Sequence, residues 1–261
     1  MRHATRFLLG GIAALLIGAA PVVSQADVSP VVSEHVTGGH LDLVWLPGFN
    51  TPVRNMQALT LDASSPAYAN PSGDHTVAVA VNTVPDSGGI ILTCTDPGSF
   101  NADYTWEGDM FTGDGNTRRG LVLRADPTNS FESCYQFVVQ AGLLQINFRK
   151  LIGQSPTTLG TWFSSTLPIF NGGTIPVNSW IHLKVIASGN AFRCFINGYE
   201  LTGGTPIVDG SSPLLTGWVG AYNFRFDTGL VPVYFDDLVL SADAVTPAHT
   251  STWGSVKARY R

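Results

Sequence analysis

The densest chemistry in this chain is a pair of carboxylates two residues apart, Glu107 and Asp109, in the segment YTWEGDMF. In a strand, residues i and i+2 point to one face, so both acids would line the same surface. Two facing carboxylates are what glycoside hydrolysis needs, at about 5–5.5 Å for retention of configuration and wider for inversion. Arg124, Gln136, Gln140, Gln145, Asn147, Arg149, His182, Lys184, Arg193 and Asn197 recur at outward-pointing positions of neighbouring segments. Together with Glu107 and Asp109 they could line one polar groove, and Glu107, Asp109, Arg124, Gln136, Asn147 and Arg149 are its candidate ligand-binding residues. An ordinary solvated sheet face has the same composition.

Other chemistries lack their residues. His35, His40, His75 and His182 are scattered without metal-ligand spacing, and Gly-x-Ser-x-Gly is absent. His40 and Asp42 in GGHLDL could form a small site, or simply a structural hydrogen bond. The three cysteines, Cys94, Cys134 and Cys194, form no Cys-x-x-Cys, which removes zinc knuckles and thioredoxin-type redox chemistry. An oxidising compartment would permit one disulfide and leave one thiol over, with the pairing open. Six tryptophans are present. Trp106 and Trp180 read as core, whereas Trp162 beside Phe163 in GTWFSSTLP reads as a loop platform for a sugar ring or a staple against the fold.

The elements that must position these residues are strands. Apolar and polar residues alternate from 40 to 240, and turn chemistry breaks the pattern about every ten residues. The pattern predicts strands over 40–46, 57–63, 76–84, 89–94, 104–111, 119–125, 133–141, 143–151, 180–187, 191–198, 216–224 and 233–241. It also predicts faces: Ile181, Leu183 and Val185 inward with His182 and Lys184 outward, and Tyr104, Trp106 and Met110 together on one side. With 28 Gly, 16 Pro and only 13% charged residues, no stretch of ten residues in the body reads as a helix. The fold class is all-β, an antiparallel β-sandwich.

The order of segments resembles the laminin-G-like, concanavalin A-like jelly roll of secreted bacterial proteins. The likeness is carried by Gly120-Leu121-Val122-Leu123-Arg124, then Trp180 to Val185, Asn197-Gly198, Gly217 to Gly220, and Phe235 to Leu238. It spans roughly residues 100–241 and implies two antiparallel sheets. Relatives on this fold include the family-16 β-glucanases, which carry Glu-x-Asp-x-x-Glu. Here Glu107-Gly108-Asp109 supplies only the first half, because Thr112 stands where the second glutamate would be. Rim calcium sites occur in such jelly rolls, and calcium takes six to eight oxygen ligands. By that resemblance Asp236, Asp237 and Asp114 are candidate ligands of a structural calcium. Asp114 could equally serve its turn, and one of the other two could cap loop amides.

Both ends differ from the body. Arg2 and Arg6 precede the apolar run FLLGGIAALLIGAA, and Ser24-Gln25-Ala26 supplies a small-x-small cleavage site. Residues 1–26 therefore read as a secretory signal peptide, 27–243 as the jelly-roll domain, and 244–261 as a linker with a basic tail. That predicts a secreted, periplasmic or cell-surface protein with no membrane span after cleavage. The body holds 9 basic and 19 acidic residues, a balance of −10. With three lysines in the whole chain, nucleic acid is excluded as a partner. The acidity also disfavours anionic partners for the body and leaves neutral glycans, cations or proteins. In the tail, Trp253, Val256 and Tyr260 fall on one helical face beside Lys257, Arg259 and Arg261, a pattern fit for recognition by a sorting machinery. Three functions stay open: a non-catalytic domain binding carbohydrate or a cell-surface ligand, a glycoside hydrolase with non-standard carboxylates, and a structural or adhesive envelope protein.

Overall fold

The computed structural model describes residues 30–34, 36, 43, 45–47, 56–82, 87–93, 103–113, 117–140, 144–225 and 231–242. The expected signal peptide, the tail, His40, Asp42, Cys94 and Asp114 lie outside these residues.

The strands are β1 (Pro30–Glu34), β2 (Trp45–Pro47), β3 (Gln57–Thr60), β4 (Thr76–Asn82), β5 (Ser87–Thr93), β6 (Tyr104–Phe111), β7 (Thr117–Ala125) and β8 (Cys134–Gln140). Then come β9 (Gln145–Ile152), β10 (Ser155–Phe163), β11 (Trp180–Ser188), β12 (Ala191–Ile196), β13 (Tyr199–Glu200), β14 (Ile207–Val208), β15 (Trp218–Arg225) and β16 (Val231–Ala242). They build two antiparallel sheets. The first runs β13-β12-β11-β6-β16-β4-β3, with β1 also on β16 and β14 on β12. The second runs β10-β9-β8-β7-β15-β5-β2. The sheets stack face to face, which makes the molecule an antiparallel β-sandwich.

Alternation decides what goes between the sheets. Trp106, Met110, Ile181, Leu183, Val185, Phe235 and Leu240 come inward from the first sheet. Leu121, Leu123, Tyr135, Phe137, Ile146, Phe148 and Val219 meet them from the second. Polar bonds also cross the core, two of them made by a buried indole and a buried amide. Trp106 Nε1 donates to the Gly220 carbonyl at 3.0 Å, and Asn223 Nδ2 donates to the Ala80 carbonyl at 3.2 Å. A buried indole N–H or amide without a partner would cost about 1–3 kcal/mol, so these two bonds also fix how the sheets sit on each other.

Most expected strands form, with ends moved by a few residues. Strands outside that expectation are β1, the short β13 and β14, and β10, which covers a segment that reads as a loop. It is an edge strand, paired only with β9, and its Pro, Gly and Thr residues mask the strand pattern. Trp162 lies in it and turns toward the core, edge-on to Phe137, so it serves as the staple and not as an exposed platform.

Two local irregularities turn side chains away from simple alternation. Arg124 takes a left-handed φ of 51° at a bulge in β7, opposite Trp218 and Gly220. This rotates its side chain out of the expected outward position. Arg124 is fully buried, donates from Nη1 to the Leu214 carbonyl at 2.8 Å, and lies 4.9 Å from the Phe192 ring centre. In β16 a second bulge spans Asp236 to Val239, with Asp237 at φ 47°. Leu238 swells toward β6 there, and a Cβ on Gly108 would lie 2.5 Å from its Cδ2. Glycine between Glu107 and Asp109 is therefore a packing requirement.

Candidate functional site

The polar groove expected from alternation is in fact two separate faces. Alternation says which residues share a side of a strand, but not which sheet the strand joins. β6 and β11 pair in the first sheet, whereas β8 and β9 pair in the second. Glu107, Asp109, His182, Lys184 and Arg193 thus lie on one outer surface, and Gln136, Asn147 and Arg149 on the opposite one.

On the first sheet, His182 is clamped between the two acids. Its Nε2 lies 3.2 Å from Glu107 Oε2 and its Nδ1 3.2 Å from Asp109 Oδ1. Lys184 adds a second cation 3.0 Å from Glu107. The register explains this, since His182 stands directly opposite Asp109, and Lys184 opposite Glu107. Hydrogen bonds to Asp109 and Glu107 raise the imidazole to about 9 against the cost of its burial. The bond from His182 holds Glu107 below its usual range, with Lys184 assisting. Both carboxylates are thus engaged by cations, and Glu107 is held toward its charged form, so it is not poised as a general acid.

Beside this cluster, residues 61–76 fold over the end of the sheet and seal Phe111, Trp180 and Tyr234 against Leu61, Ala67 and Val77. Asp236 is buried at that border. Its Oδ2 accepts from Asn70 Nδ2 at 3.0 Å and from the Ser72 amide at 3.1 Å, and its Oδ1 from the Asp237 amide at 3.0 Å. Burial raises its carboxyl, with the Ser72 bond opposing. A carboxylate whose lone pairs already meet N–H donors is poorly placed to ligate calcium. Among the described residues no three His, Cys, Asp or Glu side chains converge to hold a metal. Asp236 thus caps loop amides, the alternative that the sequence left open, and Asp114 lies outside the described residues.

The second sheet's outer face has different chemistry. Cross-strand pairing places Arg118 and Val122 (β7), Gln136, Val138 and Gln140 (β8), Asn147 and Arg149 (β9), and Trp218, Tyr222 and Phe224 (β15) on it. Arg149 Nε and Nη2 donate to Gln136 Oε1 at 2.8 and 2.5 Å. Arg118 does the same to Gln140 Oε1, at 3.0 and 2.9 Å. Arg149 then reaches over β8 and β7 to lie 5.0 Å from the Tyr222 ring centre, and Arg118 lies 5.5 Å from that of Phe224. These long side chains cover Val122 and Val138, which are fully buried although they point outward. Tyr222 stands opposite Gly120 and is buried beneath Arg149, while Phe224 and Trp218 beside it are partly exposed. Among the described residues, the central strands of this face carry no carboxylate.

Gln136, Asn147 and Arg149 are thus brought together as candidates, Glu107 and Asp109 lie on the far side, and Arg124 and Trp162 face the core. Arg118, Tyr222 and Phe224 were not expected at a site. The spacing Trp218, Gly220, Tyr222, Phe224 carries the signal for the two aromatics, because period two puts all four on one side of β15.

A third feature joins the sheets at one end. Lys150 Nζ contacts Asp209 Oδ2 at 2.8 Å and donates to the carbonyls of Ser211 and Ser212, while Tyr135 donates to the same Asp209 oxygen at 2.6 Å. A cavity of about 270 Å³, lined in part by Lys150, Asp209 and Leu159, opens beside it. Every described donor around the ion pair is satisfied, which makes it a latch for the loop before β15.

Among the described residues no helix is long and apolar enough to cross a membrane. Cys134 and Cys194 are both buried and unbonded, in different apolar clusters.

No family model matches the chain, and no curated protein matches it in sequence. Solved structures do match in fold. The carbohydrate-binding module CBM66 of Bacillus subtilis aligns over 77% of this chain and 98% of its own, with a TM-score of 0.52 and 17% identity. A Bacillus subtilis protein of unknown function with a galectin-like fold aligns over 77% and 89%, with a TM-score of 0.50 and 13% identity. A carbohydrate esterase of a Shiga toxin-encoding bacteriophage aligns over 83% and 100%, with a TM-score of 0.50 and 13% identity. At these identities the likeness establishes a lectin-like β-sandwich and nothing finer.

Proposed function

We propose that this protein is a carbohydrate-binding β-sandwich and that the outer face of the second sheet receives the sugar. One observation carries this reading: two guanidinium–amide pairs, Arg149–Gln136 and Arg118–Gln140, sit on the same face as Tyr222, Phe224 and Trp218. Sugars present both C–H faces and hydroxyls, so a site for them combines aromatic surface with pre-set polar groups. The neighbouring folds, which include a carbohydrate-binding module, fit this use.

Binding without hydrolysis is the form the geometry favours. A glycosidase needs two carboxylates across the scissile bond. On this face the described central strands supply none, and Glu107 and Asp109 on the other sheet are bound by His182 and Lys184. Membership in the laminin-G-like branch of these jelly rolls, export directed by residues 1–26, and a sorting role for the tail belong to the same proposal. N-terminal sequencing of exported protein should begin near Asp27, and deletion of 245–261 should change its location.

The test is a glycan array probed with residues 27–261, with binding remeasured for Phe224→Ala on the second sheet and Lys184→Ala on the first. Loss in the first variant alone supports the reading. Loss in the second alone places the site on the wrong face, and release of sugar product makes the protein a hydrolase.

A further inference from the structure

The geometry points to a carboxylate-bearing sugar as the ligand, received by Arg149; this rests on the carbohydrate reading of the second sheet's outer face. Arg149 is 8% exposed on what is nominally a surface. Its Nε and Nη2 both go to one neutral oxygen, Gln136 Oε1, and Gln136 is itself fully buried. Among the described residues Nη1 makes no hydrogen bond, and Arg149 has no acidic partner.

Three other cations meet an acid directly. Lys150 has Asp209 at 2.8 Å, Lys184 has Glu107 at 3.0 Å, and Arg193 has Glu200 at 2.6 Å. A cation removed from water is costly unless an anion or a full set of acceptors meets it. The Tyr222 ring returns part of that cost but cannot accept from Nη1. A planar guanidinium with an edge left over is complementary to a carboxylate, which takes two parallel N–H donors.

Arg118 strengthens the match. It lies close enough that burial, and then repulsion from Arg149, lower its affinity for its own proton. An anion at Arg149 would offset the repulsion that Arg149 exerts on Arg118. The body as a whole carries −10, so this concentration of positive charge is local, and bulk attraction does not explain it. Gln136 holds the Arg149 guanidinium in place without neutralising it.

The experiment uses residues 27–261 and an array that prints uronic-acid and sialic-acid oligosaccharides beside their carboxyl-reduced counterparts, with sulfated and neutral glycans included. Affinities for the best probe and its reduced partner are then measured by calorimetry. The expected result is at least about tenfold tighter binding of the carboxylated member, the range a charge-assisted hydrogen bond supplies. Arg149→Gln should abolish that difference, whereas Arg193→Gln, an equal charge change on the other sheet, should leave it intact. Near-UV circular dichroism of Arg149→Gln checks its fold, and the paired probes test the wild type without any substitution. Equal binding of both members overturns the acidic ligand but leaves the carbohydrate reading standing. Binding of sulfated glycans alone overturns the carboxylate. Binding of no glycan overturns both.

Discussion

His182 offers a pH test that follows from the register of β6 and β11. Its imidazole is raised from an ordinary 6.5 to about 9 because Asp109 and Glu107 each sit 3.2 Å from a ring nitrogen. At about 1.4 kcal/mol per pH unit, that rise would be worth about 3 kcal/mol in a shielded site. The side chain is 36% exposed, so solvent and salt screening cut the expected contribution to about 1 kcal/mol. The sign follows from linkage: a group whose value is raised by folding stabilises the native state fully below its unfolded value. That contribution fades as pH climbs from 6.5 through about 9. His182→Gln should therefore cost about 1 kcal/mol at pH 6 and almost nothing at pH 10, read from urea melts of both proteins across that range. An NMR titration of the ring should place its midpoint near 9. A cost that is constant with pH, or that grows toward pH 10, would refute the clamp.

Lys150→Met should destabilise the protein by about 3–5 kcal/mol, since it strands Asp209 in a buried site, and adding Asp209→Asn should restore part of the loss in the same melts. Gly108→Ala should cost about 1–3 kcal/mol, because its methyl would meet Leu238 Cδ2 at 2.5 Å. Burial pushes the Cys134 thiol up to about 12 and raises Cys194 well above its usual value. In a Cys94→Ser background, Ellman's reagent should therefore label neither thiol until denaturant is added.

The strands were legible where one side of each is buried, as in WIHLKVIA, where Ile181, Leu183 and Val185 are buried and His182 and Lys184 are not. They were not legible at β10, whose edge position demands little from its side chains. Arg124 shows the limit of alternation, because one left-handed residue at a bulge sends a charged side chain into the core. The site was half visible. Gln136 and Arg149 could be read from their strands, but Tyr222 and Phe224 come from a strand 70 residues away in sequence order, and only pairing of β15 with β7 brings them alongside. Dividing one polar list into two faces likewise needed the sheet order, which no local pattern encodes.

The most direct test of the central claim is NMR chemical-shift mapping of the labelled protein as it is titrated with a glycan taken from the array. A sugar on the second sheet's outer face will give perturbations centred on Val122, Val138, Arg149, Tyr222 and Phe224, with His182 and Lys184 unmoved. Shifts clustered around His182 and Lys184, with the second sheet's face silent, would contradict it.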